Sequence, residues 1–251
     1  MKTIFKANLT IIFLLLSMLA NGQGKINHFY YNYLPNEKPV EFGARMGFNI
    51  SSLSKLDSGN KSTKFGFMGG VTLDFNLSHT FYLSTALDFI NKGTKADLDF
   101  NYSGTELFIK DSRIHAMYLQ VPIHAGYKIW VGNKAKISLH AGPYVAYGID
   151  GMTKLGDNVT KVQGSETLTL TEFIQIYSGF KREWETFGEK APNDVNVDTY
   201  NRFDWGIGLG IAYQYDRVVL GVNYDLGLND ISKAKNKTKN NAGYATIGYK
   251  F

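Results

Sequence analysis

Cysteine is absent from this chain. Without it there is no disulfide framework and no Cys to acylate behind a signal, so stability must come from packing and backbone hydrogen bonds. Long hydrophobic runs are missing too. Beyond Leu19 no stretch approaches the ~20 apolar residues that a spanning helix needs. If the body of the chain crosses a membrane, it must do so as a closed barrel, the other structure that satisfies every backbone group in lipid. No basic stripe with interleaved aromatics appears, and the formal charge of +5 falls to +3 once Lys2 and Lys6 are discounted. That balance is too mild to argue for nucleic acid. The histidines at 28, 79, 115, 124 and 140 lack metal-ligand spacing, and no glycine loop has the form of a phosphate cradle. The chain is therefore expected to carry no catalytic, metal or cofactor site.

What the sequence does have begins at its N-terminus. Lys2 and Lys6 precede an apolar run from Leu9 to Leu19, and Ala20, Asn21 and Gly22 offer small residues before Gln23. This is the pattern of a cleaved signal peptide over residues 1–22; the run is too short to anchor in a ~30 Å core. Residues 23–40 would then form a periplasmic lead-in to a barrel domain at 41–251.

Within 41–251, eight stretches alternate with period two, the mark of strands with two unlike faces. The clearest sets Phe203, Trp205, Ile207, Leu209, Ile211, Tyr213 and Tyr215 against Asp204, Gly206, Gly208, Gly210, Ala212 and Gln214. The last sets Gly243, Ala245, Ile247, Tyr249 and Phe251 against Tyr244, Thr246, Gly248 and Lys250, and ends on its aromatic. The other six cover about 41–50, 65–76, 81–89, 117–129, 137–147 and 218–228. Each is long enough for the ~9–11 residues of a tilted crossing.

Connections near 76–79, 131–134 and 215–217 are tight. Those near 51–63, 91–115, 149–202 and 229–241 are long, and the two kinds alternate strictly. Outer-membrane barrels keep short turns on the periplasmic side and long loops outside, so an even strand number puts both termini in the periplasm. Phe42, Phe75, Phe81, Tyr127, Tyr213, Tyr249 and Phe251 would form one interfacial girdle; Phe48, Phe65, Phe89, Tyr147, Phe203 and Trp205 the other. A soluble barrel with the polar face in water is the rival. Gly66, Gly70, Gly206, Gly208 and Gly210 would make a poor solvent face but suit a narrow interior.

That interior would hold Glu41, Asp74, Asp88, Asp204 and Asp225 with Arg45, Lys64, Lys128 and Lys250, plus Gln120, His124, His140, Gln214 and Asn223. Eight strands leave room for side chains only, so these charges are expected to pair into a plug rather than line an ion path. Asp111, Ser112 and His115 are the one cluster of catalytic residue types, yet adjacency along the chain does not make a site. In the third long connection, Thr167–Thr171 running on to Tyr177 reads as a hairpin and Phe180–Phe187 as a short helix. The lysines at 233, 235, 237 and 239 read as a solvated run. A loop of about 54 residues is longer than strand closure needs; it is either a lid or a contact surface.

Several runs resemble the PorT-like outer-membrane β-barrel proteins: FGARMGFNI at 42–50, YLQVP at 118–122, AGPY at 141–144, FDWGIGLG at 203–210, YDLGL at 224–228 and GYKF at 248–251. The resemblance implies an eight-stranded antiparallel barrel in the outer membrane of a Gram-negative bacterium. It implies contact with outer-membrane lipids, with the barrel assembly machinery during insertion, and for some members a link to protein secretion. The expected function is a non-enzymatic structural, scaffold or partner-binding barrel that meets an envelope or surface protein through 149–202. The alternatives are a narrow transport pore and, behind it, a lipid-modifying enzyme at the rim.

Overall fold

The computed structural model describes residues 38–54, 61–102, 105–131, 134–161, 167–176, 181–188, 199–233 and 238–251. The signal-peptide reading, most of 23–40, and Lys235 and Lys237 lie outside these residues. The alternating stretches become strands β1 (Val40–Ser54), β2 (Lys61–Asn76), β3 (Phe81–Tyr102), β4 (Thr105–Val131) and β5 (Ala135–Asp150). Three more follow late in the chain: β10 (Phe203–Tyr215), β11 (Val218–Gly227) and β12 (Lys239–Lys250). Between the two groups lie β6 (Met152–Lys154), β7 (Asn158–Lys161), β8 (Thr167–Thr169), helix α1 (Leu170–Ile176) and β9 (Glu183–Glu185).

The eight long strands form a closed antiparallel ring. Each pairs with its neighbour in sequence order, β5 pairs with β10, and β1 meets β12 with Gly43 opposite Lys250. The Phe251 amide donates to the Phe42 carbonyl at 2.9 Å and the Lys38 ammonium to the Phe251 carbonyl at 3.1 Å, which ties the two ends of the described chain together. Closure leaves no unpaired barrel edge, the condition for a sheet in lipid.

The apolar face points outward. Phe65 is 65% exposed, Val222 61% and Leu209 53%, and most outward positions between them are also large and apolar. A soluble monomer rarely exposes more than a few hundred Å² of such surface, whereas a lipid-facing wall requires it. Aromatics bracket this wall: Phe48 stacks on Phe65 at 5.3 Å on the loop side, and Phe81 meets Tyr127 edge-on at 5.1 Å on the turn side. The tight turns are local devices. Asp216 takes a left-handed φ of 51° in the two-residue β10–β11 turn, and the Ser78 hydroxyl accepts from the Phe81 amide at 2.9 Å in the β2–β3 turn.

Two expectations fail on the loop side. Residues 91–115 are not a loop: β3 and β4 continue past the barrel as a paired hairpin and reach 22 and 27 residues. Their alternation faded from the sequence because a sheet above the hydrocarbon layer has no apolar outer face to maintain. The extension carries a bulge at Lys110–Asp111, where Asp111 adopts φ 58° and its amide donates to the Asp97 carboxylate at 3.1 Å. A second register shift parts β2 from β3 between Thr63 and Met68. There Asn49 and Ser51 of β1 bond the β3 backbone instead, at 2.9 Å to the Asn91 and Gly93 carbonyls.

The third connection also differs. Thr167–Thr169 is a strand paired to β7, but the chain turns helical at Leu170. Thr169 and Glu172 form a reciprocal cap: the Glu172 amide donates to the Thr169 hydroxyl (3.2 Å) and the Thr169 amide to the Glu172 carboxylate (2.8 Å). Those bonds hold the Glu172 carboxyl below its ordinary pKa. Of the helix expected at 180–187, Phe180 lies outside the described residues, and 183–187 are instead the short strand β9 followed by a turn. β6 and β7 add to the free edge of β4 above β5, so the third connection widens the β3–β4 hairpin into a sheet over the loop-side mouth.

Candidate functional site

The interior is built in three layers, and the middle one is ionic. Lys92 on β3 is fully buried, its ammonium 3.9 Å from an Asp204 oxygen and 3.8 Å from an Asp225 oxygen. The same ammonium sits 4.7 Å from the Tyr144 ring centre and 5.7 Å from that of Tyr118. Asp225 also accepts from Gln120 at 2.8 Å and from the Tyr244 hydroxyl at 3.2 Å; Asp204 accepts from Asn240 at 3.3 Å. Beside this group Arg45 grips Asp88 with two bonds, 3.0 and 2.5 Å. A two-pronged guanidinium–carboxylate bond away from water is among the stronger polar contacts in a protein.

Room for these side chains comes from the glycines opposite them. A Cβ at Gly208 would lie 2.7 Å from His124 Nε2 and 2.9 Å from Asp225 Oδ1; at Gly210 it would lie 2.3 Å from Asn223 Oδ1. The small-residue stripe read in the sequence is therefore space that the polar and aromatic side chains of the lumen occupy.

Toward the short turns the lumen opens into a polar cavity of ≈ 80 Å³. Lys250 pairs with Asp74 at 2.5 Å and Lys136 with Glu41 at 3.8 Å; Lys128 donates to Asn76 at 2.6 Å. His124 and His140 stack at 5.4 Å, and His140 bonds Asn223 at 2.8 Å. All five lumen acids expected from the sequence are paired. Two of their partners, Lys92 and Lys136, escaped the sequence reading. Lys92 lay in what passed for a loop, and Lys136 stands one position before Ile137, where the alternating stretch was read to begin.

On the loop side the third layer is apolar. Leu155, Phe187 and Tyr200 from the third connection and Ile231 from the fourth bury against Leu53, Met68, Ile90, Ile114, Tyr118 and Tyr144 of the barrel wall. Phe187 meets Tyr118 edge-on at 5.5 Å and lies 5.3 Å from the Arg202 guanidinium. Its ring packs so closely over Gly148 that an added Cβ there would lie 2.3 Å away. These parts of the third connection are a lid.

The residues with catalytic side-chain types are not assembled. The buried Ser112 hydroxyl accepts the Gly156 amide at 3.2 Å, His115 Nδ1 faces the Lys64 ammonium at 2.7 Å, and Asp111 is exposed on its bulge. No hydrogen bond joins any two of the three side chains. Among the described residues no three His, Asp or Glu side chains converge as a metal site would require.

A ring of eight strands, apolar outside and ionic within, coincides with a match over residues 23–233 to the family described as outer membrane protein beta-barrel domain. The chain belongs to that family. Solved outer-membrane barrels align along most of this one. Neisserial surface protein A shares 13% identity over 85% of this chain and 100% of its own, with TM-score 0.38. OprG from Pseudomonas aeruginosa shares 14% over 86% and 97%, TM-score 0.42. Ail of Yersinia pestis shares 12% over 85% and 100%, TM-score 0.35. No curated protein matches the chain.

Proposed function

We propose that this outer-membrane barrel is a non-enzymatic closed barrel of a Gram-negative cell, with its working surface in the sheet and hairpin above the loop-side mouth. The observation that carries this reading is the twofold closure of the lumen, by the Lys92–Asp204–Asp225 and Arg45–Asp88 layer and by the Phe187–Tyr200–Leu155 lid. A pore needs a continuous water column, which eight strands filled by side chains do not provide. Both termini face the periplasm in this reading, because short turns lie on that side of such barrels. Residues 1–22 leave as a signal peptide. The PorT-like resemblance adds a role beside protein secretion.

Folded protein in planar bilayers is expected to give no steady conductance. Reproducible open-channel current would replace this reading with the transport pore.

The segment free to bind a partner is β7–β8–α1, which stands on the outer edge of the sheet. Its two ends are already held together: Arg182 is ion-paired with Asp157, and the Leu155 amide donates to the Arg182 carbonyl at 3.1 Å. A short glycine linker in place of 158–181 should therefore leave the heat-modifiable gel shift of the barrel intact while abolishing cross-linked capture of an envelope protein. The same partners caught with and without the segment would defeat the interaction reading.

A further inference from the structure

Four charged residues line up across the outer face of the loop-side sheet. Lys95 of β3 stands opposite Arg113 of β4, Arg113 opposite Lys154 of β6, and Lys154 opposite Glu183 of β9. Neighbouring strands lie ~4.8 Å apart, so three cations occupy about 10 Å, and within the row itself the carboxylate of Glu183 stands at the far end. Like charges directly opposite one another are destabilising. Glu183 is engaged by Lys154 at 2.7 Å, and Arg182 nearby is taken by Asp157. Among the described residues Lys95 and Arg113 form no ion pair, and both are exposed. The row borders a cavity of ≈ 380 Å³ that Asp111 and the Asp157–Arg182 pair also line.

Its height on the barrel indicates what neutralises it. Along β4 the outward side chains run Tyr127, Ile123 and Leu119, all exposed and lipid-like, before Arg113. On β6 the exposed Met152 comes two residues before Lys154, and on β3 the outward face passes from Leu87 and Phe89 to Lys95. Past that wall the outward positions are His115 on β4 and Asn91 and Gly93 on β3 before the cations begin, so the row stands just above the apolar wall and points outward rather than into the lumen. We infer that Lys95, Arg113 and Lys154 form a site for a phosphate-bearing headgroup of a lipid in the leaflet that meets the loop side. Arg113, central in the row, offers a planar fork for two phosphate oxygens, and the flanking lysines add point charges. The inference rests on insertion of the barrel in a membrane and needs no role for residues 158–181.

The test uses the full folded barrel in neutral detergent, titrated with phosphatidylcholine nanodiscs with and without diphosphorylated lipid A. Wild type should prefer the phosphorylated discs, and the preference should weaken as salt screens the exposed charges. Lys95→Gln, Arg113→Gln and Lys154→Gln should each weaken it roughly fivefold, and together on the order of a hundredfold, at about 1 kcal/mol per interfacial cation. Removing mutually repelling charges should leave the heat-modifiable shift in place, and Arg113→Lys should retain most of the binding. The replacement of 158–181 should bind the discs like wild type even if partner capture is lost. The inference fails if the triple variant binds as wild type does, or if inorganic phosphate in solution binds as tightly as the headgroup. It fails too if Arg113→Lys behaves like Arg113→Gln.

Discussion

Lys92→Met should lower the stability of the barrel by about 3–5 kcal/mol, the usual cost of leaving buried charge without its counter-ion. Methionine nearly matches the lysine stem in volume, so packing against Tyr118 and Tyr144 survives while Asp204 and Asp225 lose their shared cation. The measurement is the temperature at which the folded band is lost on a gel, or the urea midpoint in micelles. A second variant separates charge from packing. Lys92→Met combined with Asp204→Asn and Asp225→Asn removes the whole ionic group, and it should recover most of the loss, since replacing every member is far cheaper than orphaning two. If Lys92→Met alone unfolds at the wild-type midpoint, the ionic layer is not what holds the middle of the barrel.

Gly148→Leu should open the lid while sparing the ring. The new side chain would occupy the seat of the Phe187 ring, and removing a buried phenylalanine from its site costs about 3–5 kcal/mol. Spent on a local opening, even the lower figure raises the open population roughly a hundredfold, which limited proteolysis between 181 and 202 reads directly. The gel shift should persist, because pairing of β4, β5 and β10 below Gly148 is untouched. Conductance should stay absent, since Lys92 and Arg45 still block the lumen. Cleavage at the wild-type rate would show that Phe187 is not what fastens the third connection.

The sequence was most informative where physics imposes a period. Lipid demands an apolar residue at every second position of the wall, so the strands, faces and tight turns could be read directly. The lumen acids were legible for the same reason: Asp204 and Asp225 sit at the inward phase of unmistakable strands. Lys92 was not, because past Phe89 the outward positions become Asn91 and Gly93 and the period disappears. A lid was one of the two readings of the third connection, but the residues that make it could not be picked out. Leu155, Phe187, Tyr200 and Ile231 are single apolar residues in irregular segments, with no spacing that announces a shared destination. The cap at Thr169–Glu172 was readable, but the TLTLT alternation just before it suggested a continuing strand. The cationic row could not be seen at all, since its members come from three segments joined only by register.

The seam between β1 and β12 joins the first described strand to the last, with Gly43 facing Lys250. Every other barrel pair except β5–β10 links strands that are consecutive around the ring and in sequence, so seven strands can zip up locally while β1 still presents a bare row of amides and carbonyls. Bringing such distant segments together is the costliest chain closure in the molecule and adds its reward only at the end. Until β12 pairs with β1, the sheet has two open edges and no sealed interior, a state prone to pairing with other chains. The commitment step of barrel formation is therefore the meeting of β1 with β12, so a chain cut before Lys239 keeps a sheet with nothing to close it.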